Sequence, residues 1–128
     1  MTPESLDADA RSFLTERHLA TLSVPRADGS TQVTPVGLTY GADGVARIIT
    51  RVGSAKVARL RAAPGLWVSA CQVDGRRWLT LEGPAVVTDD PARVGVAVEA
   101  YAQRYRRPRT DPDRVAIEIT VERVAGRW

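Results

Sequence analysis

The chain has 128 residues and a mass of 13.9 kDa, which is the size of one domain with one hydrophobic core. Hydrophobic residues make up 44% of it, and no apolar run approaches the roughly 20 residues that a membrane-spanning helix needs. The net charge of +3 is mildly basic, but aromatic residues are only 5% of the chain, which argues against a nucleic-acid binder that stacks bases. The polar, acidic residues 1–5 do not resemble a signal peptide, so we predict a cytoplasmic protein with no membrane partner.

The first half of the chain predicts one helix followed by strands. Residues 3–16 carry an apolar stripe with helical spacing and predict an N-terminal helix. Runs rich in β-branched residues predict strands over 19–24, 32–40 and 45–51. The Asp-Gly pairs at 28–29 and 43–44 are typical of the tight turns that join such strands.

The second half alternates helices with strands. The predicted elements are a helix over 55–63, a hairpin of strands 66–73 and 77–88, a helix over 91–105 and a strand over 115–124. Ser54 is a suitable N-cap for the first helix, and Pro64 and Gly65 end it. An Asp-Gly pair at 74–75 turns the hairpin.

These elements predict a mainly β (α+β) fold with about six antiparallel strands and two to three helices. Consecutive hairpins and close turn spacing favour closure into a small barrel. We expect one domain over residues 1–128, with an N-terminal helix over 1–17 and a barrel with two inserted helices over 18–126. Such a barrel has little room inside, so a large cofactor would lie on its outer surface, where a second subunit could cover it.

Few residues are suited to metal binding or nucleophilic catalysis. Cys71 is the only cysteine, which excludes an intrachain disulfide or a paired-cysteine metal site, and its apolar surroundings predict burial. His18 is the only histidine and no GxSxG motif accompanies it, so a serine hydrolase triad is not expected. The HExxH, Walker and GxGxxG motifs are also absent. We therefore predict no metal ion and no catalytic side chain.

Lys56 is the only lysine among the 18 basic residues of an arginine-rich chain. Its retention suggests that this position needs a compact, flexible ammonium group. A cation in the first turn of a helix is disfavoured by roughly 0.3–1 kcal/mol, unless an anion is bound there. The Ser54 hydroxyl, the free N–H groups of the helix start and Lys56 would together hold a phosphate. The alternative is an ordinary exposed lysine behind a capped turn, and this segment alone does not separate the two.

Four arginines, Arg104, Arg106, Arg107 and Arg109, follow the last predicted helix closely. Such a cluster binds nucleic acid through phosphates, binds a small polyanion, or forms a solvated surface. Because the chain has no aromatic-rich strand, we consider nucleic-acid binding the weakest of these three interpretations. A polyanion site and a solvated surface both stay open.

Three segments resemble the split β-barrel of the pyridoxamine 5′-phosphate oxidase-like superfamily, whose members bind flavins or deazaflavins. They are residues 32–37 with 50–56, residues 72–83, and residues 101–109 running into the last strand. The similarity extends from about residue 6 to residue 126. The second and third segments are the more specific ones, and they resemble the F420-dependent branch, especially its biliverdin reductase type.

The resemblance implies cofactor-binding roles for ten residues, namely Gln32, Thr34, Pro35, Val36, Thr50, Ser54, Ala55, Lys56, Arg59 and Trp78. The residues of the second strand would line the deazaflavin ring. Lys56 and its neighbours would bind the phosphate between the ribityl chain and the lactyl-glutamate tail, with Thr50 beside them. Arg59 stands where related sequences often have a polar amide, so it would instead meet the acidic tail. Trp78 would come from the partner subunit of a homodimer and close the pocket.

The resemblance also implies a reaction, in which a hydride passes from reduced F420 to a conjugated acceptor. Biliverdin is the preferred candidate for this acceptor, and an enone is the second. The cofactor would carry this step, which explains the lack of an acid–base pair. An arginine-rich rim suits the propionates of biliverdin, and Arg104 and Arg107 are the leading candidates for this contact.

Three other functions stay open at this point. One is an FMN-dependent oxidase or reductase of the same superfamily. Against it, the chain lacks the additional basic residues that usually surround the FMN phosphate, and Lys56 stands almost alone. Another is a non-catalytic carrier of F420 or of a tetrapyrrole, since no residue separates a carrier from an enzyme without a catalytic side chain. The last is an arginine-rich nucleic-acid binder, which the scarcity of aromatic residues disfavours.

Overall fold

The computed structural model describes residues 1–128 and contains eight strands and three α-helices. The strands are β1 Ala20–Pro25, β2 Thr31–Val36, β3 Leu38–Tyr40, β4 Val45–Arg51, β5 Leu66–Asp74, β6 Arg77–Thr88, β7 Arg114–Thr120 and β8 Arg123–Arg127. The helices are α1 Ala8–Phe13, α2 Ala55–Ala62 and α3 Pro91–Arg104, preceded by a single 3₁₀ turn at Pro3–Ser5. None of the helices has the length and apolar character required to cross a membrane.

The strands form one antiparallel sheet in the order β2-β1-β5-β6-β7-β4-β3, and β8 pairs with β6 outside this path. The long strand β6 is shared between two partners, because Trp78–Glu82 pairs with β8 and Ala85–Thr88 pairs with β7. Gly83 lies between these two stretches, and a Cβ atom there would sit 1.8 Å from the carbonyl oxygen of Thr120. This glycine lets the turn between β7 and β8 pass close to β6, and the sheet splits at this point into the split β-barrel predicted from the sequence.

The core lies inside this curved sheet. Alternate residues of the strands point inward, as in β1, where Leu22 and Val24 are buried and Thr21 is exposed. The N-terminal segment closes one part of the barrel with Leu6 and Phe13, which belong to the same buried cluster. One continuous apolar core therefore holds the N-terminal segment and the sheet together.

Three predicted elements differ from the structure. The strand predicted over 32–40 breaks at Gly37, and the strand predicted over 115–124 breaks before β8, which is why eight strands replace the expected six. The N-terminal helix is also shorter than predicted, because the chain leaves helical geometry at Leu6 and restarts at Asp7, whose carboxylate accepts a bond from the Ala10 N–H at 2.9 Å.

Candidate functional site

An open groove of about 730 Å³ runs along the outside of the barrel. Four elements border it, namely the break between β2 and β3, the end of β4, the start of α2 and the segment that follows α3. The lining residues are Pro35, Val36, Gly37, Ile49, Thr50, Arg51, Lys56, Tyr101, Arg106, Arg107, Pro108, Arg109, Thr110, Asp111 and Arg114. The groove is rich in basic side chains.

One end of the groove is formed by the break between β2 and β3. β2 is the last strand at one side of the sheet, so Pro35, which has no N–H, is tolerated there. The Tyr105 hydroxyl accepts a bond from the Leu38 N–H at 3.1 Å and lies 2.7 Å from the His18 carbonyl oxygen, to which it donates. These bonds fix the chain just beyond the break, so the backbone at this end of the groove is held in place.

Gly37 lies at the break itself, against α3. A Cβ atom at this position would lie 2.6 Å from Cε2 of Tyr101. The aromatic ring of Tyr101 therefore packs on bare backbone, and it stacks at 4.9 Å, centroid to centroid, on the ring of Tyr105. Tyr101 is half-buried and presents its remaining surface to the groove.

The other end of the groove is formed by α2. Val57 and Leu60 are buried and fix the helix on the barrel, which places Lys56 in its first turn facing the groove. The Ser54 hydroxyl does not cap the helix as the sequence predicted; it lies 3.5 Å from the hydroxyl of Thr50 instead. Lys56 forms no hydrogen bond or ion pair within the chain, so its ammonium group is free to bind a ligand.

The segment after α3 supplies further positive charge. It is anchored to the end of β4 by the Arg51 side chain, whose Nε lies 3.0 Å from Asp111, and by a bond of 2.8 Å from the Val52 N–H to the Asp113 carbonyl. Arg107 forms an ion pair of 2.6 Å with Glu99, which raises the pKa of Arg107 and lowers that of the glutamate. The guanidinium groups that line the groove without an acidic partner are those of Arg106, Arg109 and Arg114.

This arrangement overturns one expectation from the sequence. Lys56 does not stand almost alone, because Arg51, Arg106, Arg109 and Arg114 line the same groove. The number of basic residues therefore does not separate F420 from FMN at this groove.

Five residues predicted to contact cofactor or substrate do line the groove, namely Pro35, Val36, Thr50, Lys56 and Arg107. Ser54 lines an adjoining depression of about 440 Å³, which shares Arg51 with the groove, and Ala55 is exposed next to it. Gln32 and Thr34 lie further along β2, outside the groove lining.

Two other predicted residues point away from the groove within one chain. The Arg59 Nε donates to the Pro25 carbonyl oxygen at 2.8 Å, so this side chain is tied to the end of β1. Trp78 is 39% exposed on β6 and does not line the groove. A contact between Trp78 and a ligand therefore requires the groove of another subunit.

Arg104 is not on the rim of the groove, which corrects its assignment to the substrate. Its side chain is only 8% exposed and points into the barrel. The guanidinium donates to the carbonyl of Glu16 at 2.8 Å, to that of Leu38 at 2.6 Å and to the side-chain oxygen of Gln72 at 2.7 Å. Burial lowers the pKa of Arg104, and these three acceptors stabilise its charged form. Arg104 therefore joins α3 to the barrel.

Sequence reasoning missed several groove residues, above all Gly37, Arg51 and Tyr101. Tyr101 falls within the helix predicted over 91–105, and helical periodicity does not reveal which aromatic residue also borders a cavity. Arg51 had a local signal, since it directly follows Thr50 at the end of a predicted strand.

The groove chemistry fits an anionic cofactor with a flat ring. One end offers backbone and apolar surface at Pro35, Val36 and Gly37, and the other offers the ammonium of Lys56 and several guanidinium groups. Phosphates and carboxylates are the ligands that such cations bind. No histidine or cysteine lines the groove, and only Asp111 opposes the positive charge.

Known proteins are similar to almost the whole chain. A relative from Mycobacterium tuberculosis (strain CDC 1551 / Oshkosh), named F420H(2)-dependent biliverdin reductase, is 49% identical over 126 residues, which are 98% of this chain and 90% of the relative.

Two solved structures show the same fold at low sequence identity. A conserved hypothetical protein from Mycobacterium tuberculosis has a TM-score of 0.79 at 24% identity, covering 94% of this chain and 82% of that one. A structure named F420 reductase has a TM-score of 0.69 at 24% identity, covering 90% and 94%.

The family model described as pyridoxamine 5′-phosphate oxidase matches residues 6–128. This match spans the sheet, all three helices and every residue that lines the groove. The chain therefore belongs to the pyridoxamine 5′-phosphate oxidase family.

Proposed function

We propose that this protein is an F420-dependent oxidoreductase that reduces biliverdin to bilirubin. The observation that carries this proposal is the 49% identity, over 98% of the chain, to the F420H(2)-dependent biliverdin reductase. The geometry agrees with it, because one groove combines a flat apolar end with a cationic end.

The groove residues have distinct parts in this function. Lys56 and the hydroxyl of Thr50 bind the phosphate of F420, and the Pro35–Gly37 backbone lines its ring. Arg51 and Arg114 add positive charge for the carboxylates of its tail. When bound, reduced F420 supplies the hydride, so the chain needs only to hold the ring and the acceptor in contact, at about 3–3.5 Å.

The acceptor also needs a proton. No histidine, cysteine or glutamate lines the groove, and Asp111, the one carboxylate that does, is paired with Arg51. Water held by the guanidinium groups of Arg106 and Arg107 is the proposed source. Arg107 keeps its proposed contact with the acidic acceptor, although Glu99 competes for it.

We further propose that the active unit is a homodimer in the cytoplasm. Val73 of β5 and Trp78 of β6 lie opposite each other in the strand pairing and are 59% and 39% exposed. Together they form an apolar surface suited to a second copy of the chain. In the dimer, Trp78 closes the groove of the partner subunit. Gln32, Thr34, Ser54 and Ala55 are proposed to border the cofactor next to the groove residues.

Two measurements test the function. Apo-protein is titrated with F420 and, separately, with FMN, following cofactor fluorescence. Tight binding of F420 with weak binding of FMN supports the proposal, whereas a purified protein that holds FMN and ignores F420 contradicts it. The protein is then mixed with reduced F420 and biliverdin, and bilirubin formation is followed by absorbance. Binding of F420 without turnover of biliverdin or an enone would make the protein a carrier.

A further inference from the structure

A second, smaller cavity of about 240 Å³ adjoins the groove. It is lined by Arg17, Leu19, Tyr101, Tyr105 and Arg106. Tyr101 and Arg106 also line the groove, so the two cavities share a wall. A ligand in the small cavity would therefore lie beside a ligand in the groove.

The strand register places this cavity at the flat end of the groove. Ala20 pairs with Val36 and Thr21 pairs with Pro35, so Leu19 lies one step further along β1, next to Gly37. Lys56 is absent from the cavity lining and belongs to the opposite end. The cavity thus neighbours the backbone that lines the cofactor ring in the proposed function, and it lies away from the phosphate.

The cavity has the composition of a binding site for a conjugated anion. Leu19 directly precedes the buried Ala20 and is 61% exposed on the other face, so it offers apolar surface to the cavity, and Tyr101 adds an aromatic surface. Arg17 is held in place because its guanidinium donates to the Tyr105 carbonyl oxygen at 2.5 Å. Arg17 and Arg106 lack an acidic partner, so both keep N–H groups for a ligand carboxylate.

We propose that this cavity is the acceptor subsite, and that it takes one end of a flat conjugated molecule that carries carboxylates. Leu19 and Tyr101 contact the conjugated surface, and Arg17 and Arg106 bind the carboxylates. The cavity is smaller than the roughly 300–1,000 Å³ typical of a drug-sized ligand, so the rest of the acceptor extends over the groove toward the cofactor ring. The proposal rests on the proposed function for the identity of the acceptor, biliverdin.

The test compares biliverdin binding to wild-type protein and to four variants of the full chain. Leu19→Glu places a negative charge against the carboxylates at an exposed position, and Arg17→Ala removes one cation; these two residues line only the small cavity. Arg76→Ala is the control, because Arg76 is exposed at the turn between β5 and β6 and forms no ion pair. Binding to cofactor-free protein is followed through the absorption spectrum of biliverdin, and F420 binding is titrated separately.

We expect Arg17→Ala to weaken biliverdin binding about tenfold or more, which is the effect of losing one charge-assisted hydrogen bond. Leu19→Glu should weaken it by a similar factor, because its carboxylate repels those of biliverdin. The F420 affinity of both variants should stay within about twofold of wild type, because neither side chain lines the groove that holds the cofactor. Arg106→Ala should weaken both ligands, because Arg106 lines both cavities. Melting temperatures show whether each variant is folded.

The outcomes separate this subsite from the proposed function. If wild type reduces biliverdin and both variants bind it as the Arg76→Ala control does, the subsite is wrong and the function stands. If wild type binds biliverdin through Leu19 and Arg17 without reducing it, the function fails and the subsite stands. Wild-type protein that neither binds nor reduces biliverdin overturns both.

Discussion

Two basic residues of this protein have opposite environments. Lys56 is half-buried at the start of α2 with no partner in the chain, whereas Arg104 is 8% exposed with three acceptors around its guanidinium. A cation without a partner contributes little to stability and is available to a ligand. A buried cation with saturated hydrogen bonds is required by the fold. Substitutions of the two should therefore affect different measurements.

Lys56→Ala should weaken F420 binding about tenfold or more, since a charged hydrogen bond to a phosphate is worth roughly 1.5–3 kcal/mol. Its melting temperature should be unchanged or slightly higher, because the substitution removes a cation from the positive end of a helix dipole. Fluorescence titration and thermal unfolding measure the two effects. Arg61→Ala, an exposed arginine of the same helix, is the control and should leave both values near wild type. Equal loss of binding and stability would mean that Lys56 is structural.

Arg104→Met should lower the free energy of unfolding by about 3 kcal/mol or more, because it removes three charge-assisted hydrogen bonds and leaves the buried side-chain oxygen of Gln72 without a donor. The acceptors are the carbonyls of Glu16 and Leu38 and the side chain of Gln72. Urea denaturation measures the loss. Arg109→Ala, on the exposed segment after α3, should change stability by less than about 0.5 kcal/mol. A stable Arg104→Met protein that binds biliverdin poorly would instead return Arg104 to the substrate site.

At the scale of elements, the split of the barrel depends on Gly83. Gly83→Ala brings a Cβ into the Thr120 carbonyl oxygen, a backbone atom that has no alternative rotamer. We expect destabilisation by about 1–3 kcal/mol or more, as for other overpacked positions. Gly95→Ala is the matched control, because Gly95 lies on α3 with nothing within 4 Å of its Cβ position. That control should be stabilised by about 0.5–1 kcal/mol, since alanine is the better helix former. Chemical denaturation of both variants measures these changes. A Gly83→Ala protein as stable as wild type would contradict the prediction.

Strands in which apolar and polar residues alternate clearly were predicted with the bounds that the structure has. β4 and β6 are examples. Breaks inside an alternating run were missed, because the pattern around Gly37 continues on both sides and the break depends on Tyr101 packing from a distant helix. The same holds for Arg104. Its acceptors lie 32 to 88 residues away in the chain, so local sequence showed only one arginine among several.

The candidate site was predictable where it followed local signals. Lys56 stood out as the single lysine at a helix start, and the groove contains it. The small cavity was not predictable, because it combines Leu19 before β1 with Tyr101 of α3, and only the fold brings these residues together. Exposure of a leucine has no signature in sequence.

Stability in acid should depend on Glu16, which joins the N-terminal segment to β6. Bonds of 2.8 Å and 3.0 Å from Arg77, with a further contact to His18, lower the pKa of Glu16 from 4.5 to about 2. A lowered pKa in the folded state stabilises the fold above the unfolded value, and this contribution is lost as the pH falls toward the folded value.

Glu16→Gln should therefore melt at a lower temperature than wild type above about pH 4.5, with a gap that narrows as the pH falls toward 2. The pair is exposed, so the gap should be modest and should shrink in high salt. Thermal unfolding between pH 6 and pH 2 at two salt concentrations measures this difference in melting temperature. Glu99→Gln, which breaks another exposed ion pair on α3, is the control. A gap that persists unchanged at the lowest pH would show that shape, and not charge, explains the loss.

The chain is expected to assemble as a dimer. The outward side of β5 and β6 exposes Val73 and Trp78 side by side, and apolar side chains of this size rarely adjoin on a free surface. We expect sedimentation to give twice the chain mass of 13.9 kDa. Trp78→Asp should shift the species toward one chain mass, because a charge in a desolvated interface is strongly disfavoured. Val96→Asp, at a residue that is 53% exposed on α3, should not.

The cofactor gives the same variants a second readout. Because Trp78 is proposed to close the groove of the partner subunit, Trp78→Asp should lose F420 affinity together with the dimer, although Lys56 and the arginines remain in place. A variant that dissociates and still binds F420 as wild type does would show that each chain holds the cofactor alone. A variant that remains dimeric but binds F420 more weakly would show that Trp78 contacts the ligand and does not contribute to assembly. Only loss of both agrees with a groove that two subunits complete.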